Sequence, residues 1–202
     1  MSNSLKTLEL QAFIGPKLST VISQGQIVFL TGSSGSGKSL LLRAIADLDP
    51  HKGEVWFNNQ KAMDTHPTIW RKQVGYLPPN SFWWDDVVAN NFDNCEDALV
   101  YMEAMDLPKE AFDWQLMRMS TGEKQRMSIV RLLSNQPKVL LLDEPTANLD
   151  PKTVRAVESM IIEYTKKNNC SVIWVSHDLD QVKRVAHRHL AIDEKQISEK
   201  PL

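Results

Sequence analysis

The sequence is poor in cysteine, has almost no net charge and contains no long apolar run, and each shortage removes a class of protein. Cys95 and Cys170 lack metal-ligand spacing and are too few for a disulfide scaffold, so they are expected to be small buried hydrophobes in a protein of the reducing cytosol. With 23 Lys and Arg against 25 Asp and Glu, the chain has no positive excess for sustained contact with a phosphate backbone, and nucleic acid is not an expected partner. No apolar stretch approaches the roughly 18 residues needed to cross a bilayer, and Met1 to Leu10 lacks the apolar core of a secretory signal. Any work at a membrane would run through another chain. Repeats and low-complexity linkers are missing too. What remains is 202 residues with 42% hydrophobic content, enough for one α/β domain with a modest helical insertion.

Apolar runs set the order of elements. Ile27-Val28-Phe29-Leu30 reads as a buried parallel strand ending at a glycine loop, and the helix after it carries Leu40, Leu41, Leu42, Ile45 and Ala46. Asp49 to Gly53 reads as a turn, Glu54 to Phe57 as an edge strand, and Asn58-Asn59 as the turn that follows. Val74 to Leu77 is a short strand stopped by Pro78-Pro79. Residues 85 to 118 contain no glycine, and Ala98, Met102 and Met105 recur there at helical spacing, which predicts a small helical subdomain. The β/α rhythm resumes with strands at Val139 to Leu142 and Val172 to Val175 and a helix over roughly 151 to 168. His187 and His189 read as surface residues at a basic helix end.

The chemistry concentrates in four places. Gly32-Ser33-Ser34-Gly35-Ser36-Gly37-Lys38-Ser39 fits G-x-x-x-x-G-K-S, in which backbone amides converge on phosphate oxygens at a helix start, Lys38 reaches the β- and γ-phosphates and Ser39 offers its hydroxyl to Mg²⁺. Asp143 and Glu144 follow an apolar strand at its carboxyl end, the edge where open parallel sheets bind ligands. Asp143 is expected to hold Mg²⁺ through water, and Glu144 to orient or deprotonate the attacking water. His177 ends another strand on the same rim, as a sensor of the γ-phosphate. Ser120-Thr121-Gly122-Glu123 is a capping box before an apolar-patterned helix. It is also a potential anion site, with Lys124-Gln125-Arg126 behind it. Because one loop already claims the phosphates, this second helix start is best used from outside, against nucleotide held by another molecule.

In this order the motifs resemble those of the nucleotide-binding subunit of an ATP-binding cassette (ABC) transporter, over essentially the whole chain. Gly32 to Ser39 matches the Walker A loop, Met119 to Glu123 the signature, Leu140 to Glu144 Walker B with its catalytic glutamate, Ala147 to Asp150 the D-loop, and His177 the switch histidine. The resemblance implies an α/β fold: a P-loop NTPase core with a mostly parallel central sheet, a small antiparallel β element and a compact inserted helical subdomain at about 80 to 135, in a single domain over 1 to 202. It further implies ATP and Mg²⁺ as cofactors, a head-to-tail dimer sandwiching two ATP, and a separate transmembrane permease driven by its closure. The expected location is cytoplasmic, on the inner face of the cell membrane.

Three departures from the family stand out. Where a glutamine usually ends the Tyr76-Leu77-Pro78 strand, this chain has Pro79, leaving the task to Asn80 or to other contacts. In the signature, Thr121 and Glu123 replace the commoner Gly and Gln, while Ser120 and Gly122 remain. Before Walker A, Phe13 alone is available to stack on adenine, with a place in the core as its other reading. Phe82-Trp83-Trp84 opens the helical segment, and two adjacent tryptophans cannot both face one core in a regular strand, so one is presented to a partner or both are buried in an irregular loop. For cargo, the chain looks most like small bacterial iron exporters; haem or lipoprotein release and import of a small solute stay open. A soluble ABC ATPase acting on nucleic acid or the ribosome is the alternative. It usually has a coiled-coil insertion or two cassettes, and neither is here. A nucleotide-binding regulator with little turnover is a third reading, prompted by Pro79.

Overall fold

A computed structural model describes residues 4–13, 15–194 and 196–202. In chain order the elements are β1 (Ser4–Ala12), β2 (Lys17–Ser23), β3 (Ile27–Gly32), α1 (Lys38–Ile45), β4 (His51–Phe57), β5 (Gln60–Lys61), α2 (Pro67–Gln73) and β6 (Val74–Leu77), then α3 (Cys95–Ala104), α4 (Thr121–Ser134), β7 (Val139–Asp143), α5 (Pro151–Asn168), β8 (Ser171–Val175), α6 (Leu179–Val185), β9 (Arg188–Asp193) and β10 (Gln196–Lys200). Residues 1–3 of the amino-terminal stretch lie outside the described residues; Ser4 onward is strand.

Two sheets organise the chain. The larger runs β10-β9-β3-β8-β7-β6, with five parallel strands and β10 antiparallel at one edge. The smaller is antiparallel, in the order β2-β1-β4-β5. The period-2 geometry of strands explains why the apolar runs are continuous. Ile27, Phe29, Leu140, Leu142, Val172 and Trp174 face one side of the sheet, toward residues of α3, α4 and α5, and Phe29 stacks on Trp174 with ring centroids 5.2 Å apart. Val28, Leu30, Val139, Leu141, Ile173 and Val175 face the other side, toward α1 and the smaller sheet. Both faces are covered, so neither can be polar.

The turn expected over 49 to 53 is shorter than the sequence suggests, because β4 already starts at His51. Gly53 supplied the false signal: it adopts φ 80° at a register shift in the pairing of β1 with β4, across from Glu9 at φ 47°. A β-carbon on Gly53 would stand 2.3 Å from the Glu9 carbonyl oxygen. Gly53→Ala is therefore expected to cost about 1–3 kcal/mol, read as a lowered urea midpoint at an unchanged slope. Glu54 to Phe57 is an inner strand, since β5 pairs on its outer side. Asn58 and Asn59, both at positive φ, make the expected hairpin turn.

One of the two carboxyl-terminal histidines, His189, also differs from the sequence reading. The helix ends at Val185, and His189 lies buried within β9, where its Nε2 is 2.8 Å from the Thr31 hydroxyl. His187 is exposed, yet its Nδ1 accepts the Ile27 amide at 3.1 Å. A basic stretch disguised a strand whose polar members have partners. Cys170 is buried as expected, whereas Cys95 is half-buried.

Candidate functional site

The loop after β3 turns into α1 at Gly37, which caps the helix in the left-handed conformation at φ 98°. A side chain there would be strained and would also press on Pro16 Cδ at 3.2 Å. Lys38 lies on the first turn, only 6% exposed, and its ammonium donates to the Gly32 carbonyl at 2.8 Å and the Ser33 carbonyl at 2.9 Å. Burial pushes its pKa below the ordinary lysine range, while the charges of Glu144 and Asp143 pull the other way. The lysine thus sits between loop carbonyls and two carboxylates. Ser36 Oγ is buried with no partner among the described residues.

Strand order brings the other groups here. β8 lies between β3 and β7, so the residue after β8 is flanked by the glycine loop on one side and by the carboxylates after β7 on the other. His177 Nε2 is 2.9 Å from Glu144 Oε1. Glu144 takes φ 51°, a strained value for a residue with a β-carbon, and its amide donates to the Val175 carbonyl at 3.1 Å. Ser34, Gly35, Gly37, Lys38, Ser39, Leu40, Glu144 and His177 line one cleft of about 210 Å³. An adjoining hollow of about 300 Å³ shares Ser34, Gly35, Gly37 and Leu40 with it and extends to Gly15, Ser33, Ser36, Ile192 and Glu194. Cation, carboxylate and hydroxyl meet in a cleft bordered by the glycine loop, which suits a phosphorylated ligand and proton transfer at its end.

Asp143 lies just behind this cleft, 1% exposed, and Tyr76 donates its hydroxyl to Asp143 Oδ2 at 3.2 Å. Among the described residues no group of three or more His, Cys, Asp or Glu could hold a metal ion alone. One carboxylate and the Ser39 hydroxyl fit Mg²⁺, which is bound by one or two carboxylates together with substrate phosphates.

The signature segment lies apart from that cleft. Ser120 caps α4 in a full capping box: its Oγ accepts the Glu123 amide at 3.3 Å and donates to Glu123 Oε2 at 2.7 Å, and its own amide donates to the same oxygen at 2.8 Å. The Ser120 hydroxyl and amide hold the Glu123 carboxyl below its usual range. Two residues behind it are engaged within the chain: Arg126 binds the Met105 and Asp106 carbonyls, and Gln125 donates to the Pro145 carbonyl at 3.1 Å. Gly122 has no internal reason to be glycine, since a β-carbon there would make ordinary contact with Leu149 Cδ2 at 3.6 Å.

The model of the ABC transporter family matches residues 16–147. The chain belongs to that family. As an ABC-type ATP hydrolase it is 34% identical over 169 residues to the probable iron export ATP-binding protein FetA of Escherichia coli (strain K12), covering 78% of this chain and 75% of that one. To the lipoprotein-releasing system ATP-binding protein LolD of Rickettsia conorii (strain ATCC VR-613 / Malish 7) it is 32% identical over 195 residues, 87% of each. A solved ATP-binding subunit of an ABC transporter superposes with a TM-score of 0.88 at 19% identity, over 98% of this chain and 90% of that one, and so shares the fold.

The departures from the ABC pattern have definite places. Phe13 is 82% exposed at φ 45°, which overturns its core reading; it lines a hollow with Gly15, the glycine that also borders the loop pocket. Pro79 and Asn80 are exposed just past β6, and no hydrogen bond of the Asn80 side chain occurs among the described residues. Phe82 and Trp84 are exposed while Trp83 is half-buried, and the Arg131 guanidinium lies over both tryptophans, 4.3 Å from the Trp83 ring and 4.9 Å from that of Trp84. Burial drives the Arg131 pKa down to about 10. Sequence reasoning missed Tyr76 and Glu158. Each had a signal, since a tyrosine in an apolar strand and a carboxylate on the buried face of a helix both need partners. Glu158, buried in α5, takes Arg184 at 2.7 Å and Gln181 at 3.1 Å.

Proposed function

We propose that this chain is the ATP-binding and hydrolysing subunit of an ABC transporter, working as a head-to-tail pair of copies beneath a separate membrane-spanning subunit. The observation that carries the reading is the 2.9 Å contact of Glu144 with His177 at the mouth of the cleft floored by Lys38. Amides of Gly32 to Ser39 and the Lys38 ammonium bind the β- and γ-phosphates, for which Lys38 gives up its loop carbonyls. Mg²⁺, held by Ser39 and Asp143, would screen phosphate charge as it builds in the transition state. Glu144 takes a proton from the attacking water, and His177 fixes that carboxylate while its exposed ring faces the γ-phosphate. Phe13, beyond Gly15 from the loop, is the residue in reach of a base. Residues 80 to 135 form the helical subdomain inserted in a single ATPase domain.

Ser120 and Gly122 are read as serving a partner copy's nucleotide. The support is that Gly122 meets nothing of its own chain that would forbid a side chain. Among the described residues no helix is long and apolar enough to cross a membrane, so the transmembrane path belongs to another polypeptide in this reading. Its place is the cytoplasmic face of the cell membrane. For cargo we put metal export first, with iron as the metal, on the likeness to FetA.

Inverted vesicles carrying the complex of this chain with its neighbouring membrane subunit test both levels. ATP-dependent uptake of ferrous iron is the expected result. Uptake of no metal with ATP consumption intact would remove the cargo, and ATP-dependent retention of the chain on DNA or ribosomes, with none in the membrane fraction, would remove the transporter.

A further inference from the structure

We propose that Tyr76 is a positioning residue for Asp143 and the link through which a groove on the far side of β6 acts on the cation site; the proposal rests on reading Asp143 as the carboxylate that holds Mg²⁺. β6 is the edge strand of the large sheet. Between it and α4 runs a groove of about 300 Å³, lined by Tyr76, Pro78, Ser81, Trp84, Arg131 and Asn135 among others. Two polar atoms of this lining, Ser81 Oγ and Arg131 Nη1, are buried and have no partner among the described residues. Tyr76 thus lines the groove and holds Asp143, behind the nucleotide cleft, by its hydroxyl.

That hydroxyl is the one hydrogen-bond donor to the Asp143 side chain among the described residues, at 3.2 Å. A strand-end carboxylate with a single anchor has its rotamer set by that anchor. A phenol ionises only at about pH 10, so the hydroxyl is present as a donor at neutral pH. The sequence adds a reason to need such a device, because Pro79 has no side-chain donor or acceptor. Displacement of Tyr76 from the groove is passed to Asp143 through that hydrogen bond, without passing through residue 79.

The test reads Mn²⁺ binding by electron paramagnetic resonance with a nonhydrolysable ATP analogue bound. Tyr76→Phe keeps the ring and removes only the donor, and loss of a partner that orients a ligating carboxylate typically weakens metal binding about 10- to 100-fold. We expect weakening of about tenfold, with analogue affinity in the absence of metal and the melting temperature unchanged. Mn²⁺ binding within twofold of wild type, or tighter, would overturn the role. For the link, Asn135→Cys in a Cys95→Ala background places a bulky maleimide adduct in the groove, Cys170 being buried. The adduct should weaken Mn²⁺ binding several-fold with Tyr76 present and leave it unchanged with Tyr76→Phe. An equal effect in both backgrounds, or none in either, removes the link. A wild type that binds neither analogue nor Mn²⁺ would instead defeat the nucleotide reading itself.

Discussion

Glu144→Gln is expected to lower steady-state ATP turnover by ~10²–10⁴-fold while nucleotide affinity stays within a few-fold of wild type. The exchange is nearly isosteric, so the strained φ of 51° and the hydrogen bond from the residue's amide to the Val175 carbonyl remain. The side-chain oxygen can still accept from His177 Nε2. What disappears is the ability to take a proton. Lys38, Ser39 and the loop amides, the phosphate-binding groups in the proposed reading, are untouched by the change. The affinity of a fluorescent ATP analogue and phosphate release therefore separate, and the separation locates the role of Glu144 in chemistry. A turnover equal to wild type would remove the proton-accepting role and favour a nucleotide-binding regulator.

The parts of this site that lie in one stretch of chain were legible in the sequence, because each motif carries its own local geometry. The glycine loop needs a left-handed residue at its end and finds Gly37. The capping box closes within four residues, from Ser120 to Glu123. Val139 to Leu142 and Val172 to Val175 are apolar throughout because they are covered on both faces. Meeting points between distant segments were harder to read. Nothing near Tyr76 announces that its hydroxyl reaches Asp143, 67 positions later. His189 looked exposed beside Arg188, and only the pairing of β9 with β3, which sets His189 beside Phe29, brings its ring within reach of the Thr31 hydroxyl. β1 and β2 went unread for a related reason. The shift between Thr7 and Leu10 breaks the alternation of β1, and β2, although it alternates, buries only Leu18 and Ile22 fully.

The second large effect concerns assembly. With ATP bound, Glu144→Gln is expected to run as a stable dimer in size-exclusion chromatography, and adding Ser120→Arg should return it to a monomer. Blocked hydrolysis holds whatever closed state ATP favours, so the first change accumulates the dimer. The second puts a long cationic side chain where the α4 helix start would meet phosphate held by the other copy. Ser120 is exposed, and the segment lines neither of the two loop-bordered pockets of its own chain, so the arginine has no route to its own nucleotide. It does remove a helix cap, at a cost of about 0.5–2 kcal/mol. Ser120→Ala, which loses the same cap without adding bulk, is the control and should dimerise in the Glu144→Gln background. A Ser120→Arg protein that melts like Ser120→Ala, binds ATP analogue normally and fails to dimerise places the signature against the partner's nucleotide. One that still dimerises would sink the cross-subunit assignment, leaving Ser120 as a capping residue only.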